Sequence, residues 1–261
     1  MNEIVKYKNE LNELNFCNLS AQDYNVFMVL CSKMKDKGTE KVTFTYQEIR
    51  ELAHITIHSN DDFINALKRM NKRLSEVNCT IETETDIDSF NLFPTFRISK
   101  LKQTLTVSIN PDFKHLLNDI TNNFTRFELE EFVSLKSKYS KSLYRILKQY
   151  RSTGKRYMDI KDIREKLDIP EKYENRRIVN LIINPSIEEL RKLDAFKNLK
   201  CIAKRAEHGR NVIGYTFYFN QEIIADTKAK RNTQSKKNDF NNIPKSDYGD
   251  INELENQILS N

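Results

Sequence analysis

The amino-acid sequence predicts an α+β protein in which one small unit occurs twice. In each half an amphipathic helix, a short helix and a longer helix with a basic outer face precede the alternating pattern of a β-hairpin. The segments FTYQEIRELA (44–53) and MDIKDIREKLD (158–168) share an Ile-Arg-Glu core, and the offset from Ile49 to Ile163 is 114 residues. This element order predicts two tandem winged helix-turn-helix domains with a pseudo-two-fold relation, plus a polar C-terminal tail.

Composition changes along the chain divide it into four predicted parts. The polar ends frame two segments that are each long enough for a packed domain, because 261 residues with 38% hydrophobic content can bury two cores of ordinary size. We expect the tail to be disordered. The predicted parts are a lead-in at 1–18, a first winged-helix domain at 19–122, a second at 123–224 and the tail at 225–261.

The first half carries clear helix-start signals. Ser20 and Asp23 are placed as a capping box, a short helix starts at Thr45, and a longer one starts at Ser59. The outer side of the longer helix has the basic and polar residues expected of a recognition helix in a major groove, although an ordinary solvated face is the alternative. The candidate DNA-binding residues on this face are Asn65, Lys68, Arg69 and Lys72.

The period of the apolar residues changes to two between Asn78 and Ile109, which predicts a wing of two or three strands. Turns are predicted at 86–89 and 100–103. Segment 112–127 is predicted to link the halves. Apolar residues spaced by three or four then predict one long amphipathic helix from Phe132 to Tyr150.

Pro185 lies inside the second candidate recognition helix. Local rules would start a new helix at Asn184, but that helix would show Glu188 and Glu189 to a phosphate backbone. We therefore predict one helix from about 175 to 192 that is kinked at the proline. Arg176 and Arg177 lie at its N-terminal end, where an anion is favoured.

The C-terminal hairpin has a basic tip. Strands are predicted at 199–206 and 212–219, and the charged residues between and beside them suit phosphate contacts. The alternative is a charged turn that keeps an edge strand soluble. The candidate contacts are Lys204, Arg205 and Arg210.

Charge and cysteine usage bound the function classes. A net charge of +6 permits a polyanionic partner. The four cysteines are scattered without a CxxC pair, which favours reduced thiols. With neither an apolar run of about 20 residues nor a signal-peptide pattern, we expect a cytoplasmic protein without a membrane partner.

The sequence offers little catalytic chemistry. It has no GxxxxGK[ST] phosphate loop, and His54 and His58 lack the Glu of a metalloprotease motif and fall in a predicted turn. We expect histidines near phosphate there in preference to a metal site. The prediction is therefore a protein that is not an enzyme, with no catalytic residues, cofactor or metal.

Three segments, LKSKYSKSLYRILKQY (135–150), NLIINPSIEELRKL (180–193) and the hairpin end GYTFYF (214–219), resemble the iteron-binding plasmid replication initiators of the Rep_3 family. The likeness covers about residues 10–222. It implies a protein that binds double-stranded direct repeats (iterons) at a plasmid origin, with one winged helix at each end of a repeat. It also implies origin opening and recruitment of host replication proteins such as a helicase, primase or initiator.

The resemblance adds expectations about residues and assembly. By position it implies that Asn180 reads DNA together with Arg176 and Arg177. It implies a homodimer in equilibrium with a monomer, with autorepression by the dimer and with dimer contacts on the strands of 80–109. Ile251, Leu254 and Ile258 have helical spacing, so the tail is a candidate docking peptide for a host protein.

Two other functions stay open at this point. One is a winged-helix transcriptional regulator without initiator activity. The other is a protein whose hairpins bind proteins and have no role on DNA.

Overall fold

The computed structural model describes residues 3–14, 16, 18–76, 79–82, 85, 87–207 and 211–222, with the strands at 79–82 and 87–90 described as backbone. Arg210 and the predicted tail at 225–261 lie outside these residues. The described chain belongs to one compact unit, Met1–Glu222.

The first half has the predicted order of helices, followed by four strands. Ser20 and Asp23 form the capping box of its first helix, and the Ser59 side chain accepts a hydrogen bond from the Asp62 N–H at 3.3 Å. The elements are β1 (Ile4–Lys8), a 3-10 turn (Asn9–Asn12), α1 (Ala21–Met34), β2 (Val42–Thr45), α2 (Tyr46–Leu52), α3 (Asn60–Ser75), β3 (Cys79–Glu82), β4 (Ile87–Phe90), β5 (Thr95–Ser99), β6 (Thr104–Ser108) and a 3-10 turn (Pro111–Leu116).

The second half repeats this order with fewer strands. Its elements are β7 (Phe124–Glu128), α4 (Leu129–Ser134), α5 (Lys138–Gln149), β8 (Lys155–Asp159), α6 (Ile160–Lys166), α7 (Asn175–Ile178), a π turn (Val179–Ile183), α8 (Asn184–Leu190), a 3-10 turn (Asp194–Phe196), β9 (Lys200–Arg205) and β10 (Val212–Tyr218).

Some local predictions are wrong. The region 78–109, predicted as a wing of two or three strands, holds the four strands β3 to β6. The turn expected at 86–89 is largely strand, because Ile87–Phe90 pair antiparallel with Cys79–Glu82, whereas the turn at 100–103 is confirmed. The long helix expected from Phe132 to Tyr150 is broken. Leu135 is extended at φ −70° and ψ 135°, and the Ser137 hydroxyl caps α5 by accepting from the Tyr139 N–H at 3.2 Å.

The repeated unit is confirmed in backbone detail. The sheets β2-β6-β5 and β8-β10-β9 have the same strand order, and all their pairs are antiparallel. After each short helix one residue is left-handed, His54 at φ 50° and Asp168 at φ 52°. These two positions have the same offset as Ile49 and Ile163, which are both completely buried.

The two halves share one hydrophobic core. Strand β1 pairs with β7, so the N-terminal segment lies against the start of the second half. Phe113, Leu116 and Phe127 are buried in the same core. Segment 112–127, predicted as a link, is therefore part of the packed body, and the domain boundary near residue 122 stays a prediction.

Helix α5 lies at the centre of this body and buries three cations. Lys141, Arg145 and Lys148 are 0%, 4% and 5% exposed. The Lys148 ammonium is 2.6 Å from a carboxylate oxygen of Glu222 and 3.4 Å from one of Glu131. Lys148 thus links α5 to α4 and to the end of the described chain, whereas Arg145 reaches the N-terminal segment by donating to the Leu11 carbonyl at 2.9 Å.

Lys141 makes the stability of this body depend on pH. Its ammonium donates to the Phe132 carbonyl at 2.7 Å and lies 4.6 Å from the centre of the Phe132 ring, and burial lowers its pKa to about 7. Between this pKa and the ordinary value of 10.5 the unfolded chain binds more protons, so the free energy of unfolding rises with pH in that window. Below about pH 7 the side chain is charged in both states and contributes no slope.

We expect Lys141→Met to lose this pH dependence. Relative to the wild type, the variant's free energy of unfolding should fall by about 2 kcal/mol between pH 7 and pH 9. Urea titrations at several pH values measure the difference. Lys192→Met, at an exposed lysine, is the control that should leave the pH slope unchanged. A constant difference between Lys141→Met and wild type across this range would contradict the expectation.

Candidate nucleic-acid interface

An arginine of the repeated Ile-Arg-Glu motif holds the turn before the first recognition helix. The Arg50 guanidinium donates to the Asn60 side-chain oxygen at 2.9 Å and to the Ser59 carbonyl at 3.2 Å. It also lies 4.5 Å from the centre of the Phe63 ring in the first turn of α3. Arg50 therefore fixes the angle at which α3 leaves the turn.

The second copy uses the equivalent arginine in the same way. The Arg164 guanidinium donates to the Tyr173 carbonyl, just before the second recognition helix. The Tyr173 ring in turn lies 4.3 Å from the Arg177 guanidinium. Arg164 of the motif thus positions Arg177 indirectly, through its contact with Tyr173.

Helix α3 turns its apolar side inward and its basic side outward. Phe63, Leu67 and Met70 are buried against the first half. The predicted contacts Asn65, Lys68, Arg69 and Lys72 are all exposed. The fourth basic residue of this helix, Arg73, instead pairs with Asp23 of the α1 capping box and ties α3 to the body.

The second recognition helix is continuous from Asn175 to Leu190 and accommodates its proline through a π turn. α7 ends at Ile178, and residues Val179–Ile183 form the wider turn before α8 begins at Asn184. Pro185 has no N–H for the usual helical bond, and its ring needs room beside the preceding turn. The predicted single helix through Pro185 is therefore confirmed, and the kink at the proline stays a prediction.

The exposed face of this helix contains the three predicted residues and a fourth residue that the sequence analysis did not select. Arg176, Arg177 and Asn180 are exposed. Leu181 lies beside them with 54% of its surface exposed, whereas Ile178 and Ile182 are buried. A recognition helix uses apolar side chains of this kind on thymine methyl groups. The apolar sequence of 178–183 does not by itself distinguish the exposed Leu181 from the buried Ile178 and Ile182.

The two acidic residues that raised the difficulty at Pro185 have different surroundings. Glu188 pairs with Arg191 at 2.8 Å. The Glu189 carboxylate accepts hydrogen bonds from the Lys136 and Ser137 N–H groups at the start of α5. Glu189 therefore caps a helix of the body.

The hairpin tips lie at the ends of the two equivalent sheets. Lys204 and Arg205 are exposed near the end of β9, and the Lys204 ammonium is 5.0 Å from the centre of the Tyr157 ring. Arg210 lies outside the described residues, so its placement stays a prediction. The equivalent tip in the first half is Lys100–Gln103, which is exposed throughout.

Two protein-family models match the two halves of the chain. The family described as "Initiator Replication protein, WH1" matches residues 4–148, and "Initiator Rep protein, WH2" matches residues 159–219. The chain belongs to this family of replication initiators. A probable replication protein rep of Bifidobacterium longum is 35% identical over 225 residues, which cover 85% of this chain and 74% of that protein.

The initiator fold is also seen in a solved relative. The Pi initiator protein, crystallised in complex with iteron DNA, matches with a TM-score of 0.68 over 85% of this chain and 99% of that chain. At 16% sequence identity the likeness shows the fold alone. It confirms the tandem winged-helix architecture of this initiator.

The remaining chemistry of this initiator is sparse within the described residues. They contain no group of three or more His, Cys, Asp and Glu side chains arranged to hold a metal ion. His54, in the turn after α2, lies 3.3 Å from Glu130. None of the described helices has the length and apolar character needed to cross a membrane.

Proposed function

We propose that this chain binds direct repeats at a plasmid origin and initiates replication there by opening the duplex and recruiting host replication proteins, without covalent chemistry of its own. One winged helix binds each end of a repeat. α3 contributes Asn65, Lys68, Arg69 and Lys72, and α7 with its π turn contributes Arg176, Arg177 and Asn180.

One observation carries the proposal. Both recognition helices present exposed basic residues and are oriented by the same arginine contact, through Arg50 in one copy and Arg164 in the other. A charged surface formed by chance would not need an equivalent half-buried arginine behind it in both copies. The shared core makes the two helices parts of one body, which suits a repeat with two fixed half-sites.

We further infer that the initiator exchanges between monomer and dimer and that the dimer represses its own gene. Support comes from the first half, where β5 is an edge strand of its sheet and β3 with β4 forms a separate two-stranded sheet. An edge strand offers unpaired backbone groups to a second copy.

A mobility-shift assay against the DNA flanking the gene tests binding. We expect specific binding of a repeat-containing duplex, with log K falling by about 0.9 per neutralised phosphate for each tenfold rise in salt. A shuffled duplex of the same composition is the control. Equal affinity for both duplexes would contradict sequence-specific recognition.

A replication assay separates an initiator from a transcriptional regulator. A plasmid that carries only the origin should replicate when this gene is supplied in trans. Specific binding without replication in that assay would favour the regulator.

A further inference from the structure

The tip of the first wing exposes a leucine between two lysines. Leu101 is 94% exposed, whereas the other exposed large apolar side chains of the described residues range from 36% to 56%. Lys100 and Lys102 on either side are also exposed. Burying a leucine contributes about 1.5–3 kcal/mol, and Leu101 contributes none of this to the fold.

The wing tip is held in place by hydrogen bonds from Tyr46, the first residue of α2. The Tyr46 N–H donates to the Gln103 carbonyl at 2.9 Å, and the Tyr46 hydroxyl donates to the Ser99 carbonyl at 3.2 Å. Tyr46 is buried and packs edge-on against Phe63, with ring centres 5.2 Å apart. Because Phe63 lies in the first turn of α3, the wing is fixed beside the N-terminal end of that recognition helix.

The equivalent second wing shows that the turn itself does not require a leucine. In the matched sheets Thr104 corresponds to Gly214, because Thr104 pairs with Thr45 and Gly214 pairs with Asp159, two residues at the repeat offset of 114. Ser99 then corresponds to Lys204, since each is the hairpin partner of that residue. Between them the second wing has the sequence Arg-Ala-Glu-His-Gly-Arg-Asn-Val-Ile. Its apolar residues Val212 and Ile213 belong to β10, and residues 206–211, which connect β9 to β10, include no large apolar residue. The two copies therefore differ at the tip in chemistry while sharing the fold.

We propose that Leu101 is a wedge that enters the minor groove beside the α3 site, partly unstacks one base step and bends the duplex. Lys100 and Lys102 neutralise the phosphates on either side of the insertion. The inference rests on the proposed function and deepens it, because a bent and unstacked step gives this initiator a physical means to distort origin DNA.

The chemistry of the contact fits known wedges. Apolar side chains inserted from the minor groove unstack a step at a cost of a few kcal/mol, which the extra contacts of the bent duplex offset. Pyrimidine–purine steps unstack most easily. The wedge should therefore act at a TA or CA/TG step in the minor groove next to the half-site bound by α3.

The test uses the full chain and the repeat duplex identified by mobility shift, with 2-aminopurine placed in turn at each adenine position and dyes at both ends. The wild type should raise 2-aminopurine fluorescence at one step and shorten the end-to-end distance. Leu101→Ser should abolish both signals while its affinity stays within about tenfold of wild type. Ile202→Ala, which truncates a side chain 56% exposed on β9, is the matched control and should behave as wild type.

The remaining outcomes overturn the proposal. If wild type binds without unstacking, or if Leu101→Ser unstacks and bends the duplex as wild type does, Leu101 is not a wedge although repeat binding stands. If wild type binds no repeat specifically in the mobility shift, the proposed function fails and the wedge with it.

Discussion

Replacing Arg176 and Arg177 together by alanine should weaken repeat binding by about 2–5 kcal/mol, which is roughly 30-fold to several thousand-fold in Kd. Both side chains are exposed at the N-terminal end of the second recognition helix. Arg177 is additionally held against the Tyr173 ring at 4.3 Å, so less side-chain freedom is lost when it binds. Fluorescence anisotropy at fixed salt measures the loss.

The matched control removes the same charge from another place. Lys192 and Lys197 are exposed beyond the C-terminal end of that helix, and their double alanine variant should lose less than about threefold. If the two double variants lose affinity equally, the arginines act only through net charge. If the arginine variant binds the repeat as wild type does, the assignment of these residues as DNA contacts is wrong.

Base reading and phosphate contact are separated by a second duplex. Loss of base contacts lowers the affinity for the repeat more than the affinity for a shuffled sequence, whereas loss of phosphate contacts lowers both together. We expect the arginine variant to lose the greater part of its discrimination between the two duplexes.

The repeated unit could be predicted from sequence because its physical demands are local. Ile49 and Ile163 must be buried, and both copies need the same turn after the short helix. These demands leave the same residue types at the same spacing. The role of the arginine that follows each isoleucine could not be predicted, because its partner is distant in sequence. Arg50 contacts a residue ten positions away, and Arg164 contacts one nine positions away.

Helix boundaries were predictable where a cap was recognised and wrong where it was missed. Ser20 and Ser59 predicted the starts of α1 and α3, and both residues cap their helices. Apolar residues continue at helical spacing across Leu135, which concealed the break before α5. Ser137 was the available signal, since serine is favoured at an N-cap and weak inside a helix.

The central helix shows why an amphipathic pattern misplaces charge. Periodicity assigns Lys141, Arg145 and Lys148 of α5 to solvent. The lead-in segment, predicted only as a polar extension, instead forms β1 and a 3-10 turn, whose Tyr7 and Leu11 accept hydrogen bonds from Arg145. Lys141 and Lys148 have their partners in the second half. The charged face of α5 can be buried because polar groups distant in sequence provide hydrogen bonds and ion pairs to it. The local sequence pattern contains no information about such partners.

Arg145→Ala should destabilise the folded chain by about 3–5 kcal/mol. The Arg145 guanidinium donates to the Leu11 carbonyl at 2.9 Å and to the Tyr7 hydroxyl at 3.3 Å, and it lies 4.7 Å from the centre of the Phe16 ring. Alanine would leave a cavity between the lead-in segment and α5 and would remove the donor from a buried carbonyl. Urea unfolding followed by circular dichroism measures the change.

Arg69→Ala should have the opposite effect to Arg145→Ala, with DNA binding weakened and stability kept. Because the Arg69 side chain points outward from α3, its removal should change the free energy of unfolding by less than about 0.5 kcal/mol while weakening repeat binding. Arg145→Ala, studied where it is still folded, should bind the repeat with wild-type affinity, because Arg145 is buried and its contacts are with the lead-in segment. Equal stability of Arg145→Ala and wild type would mean that the lead-in segment is not held by this arginine.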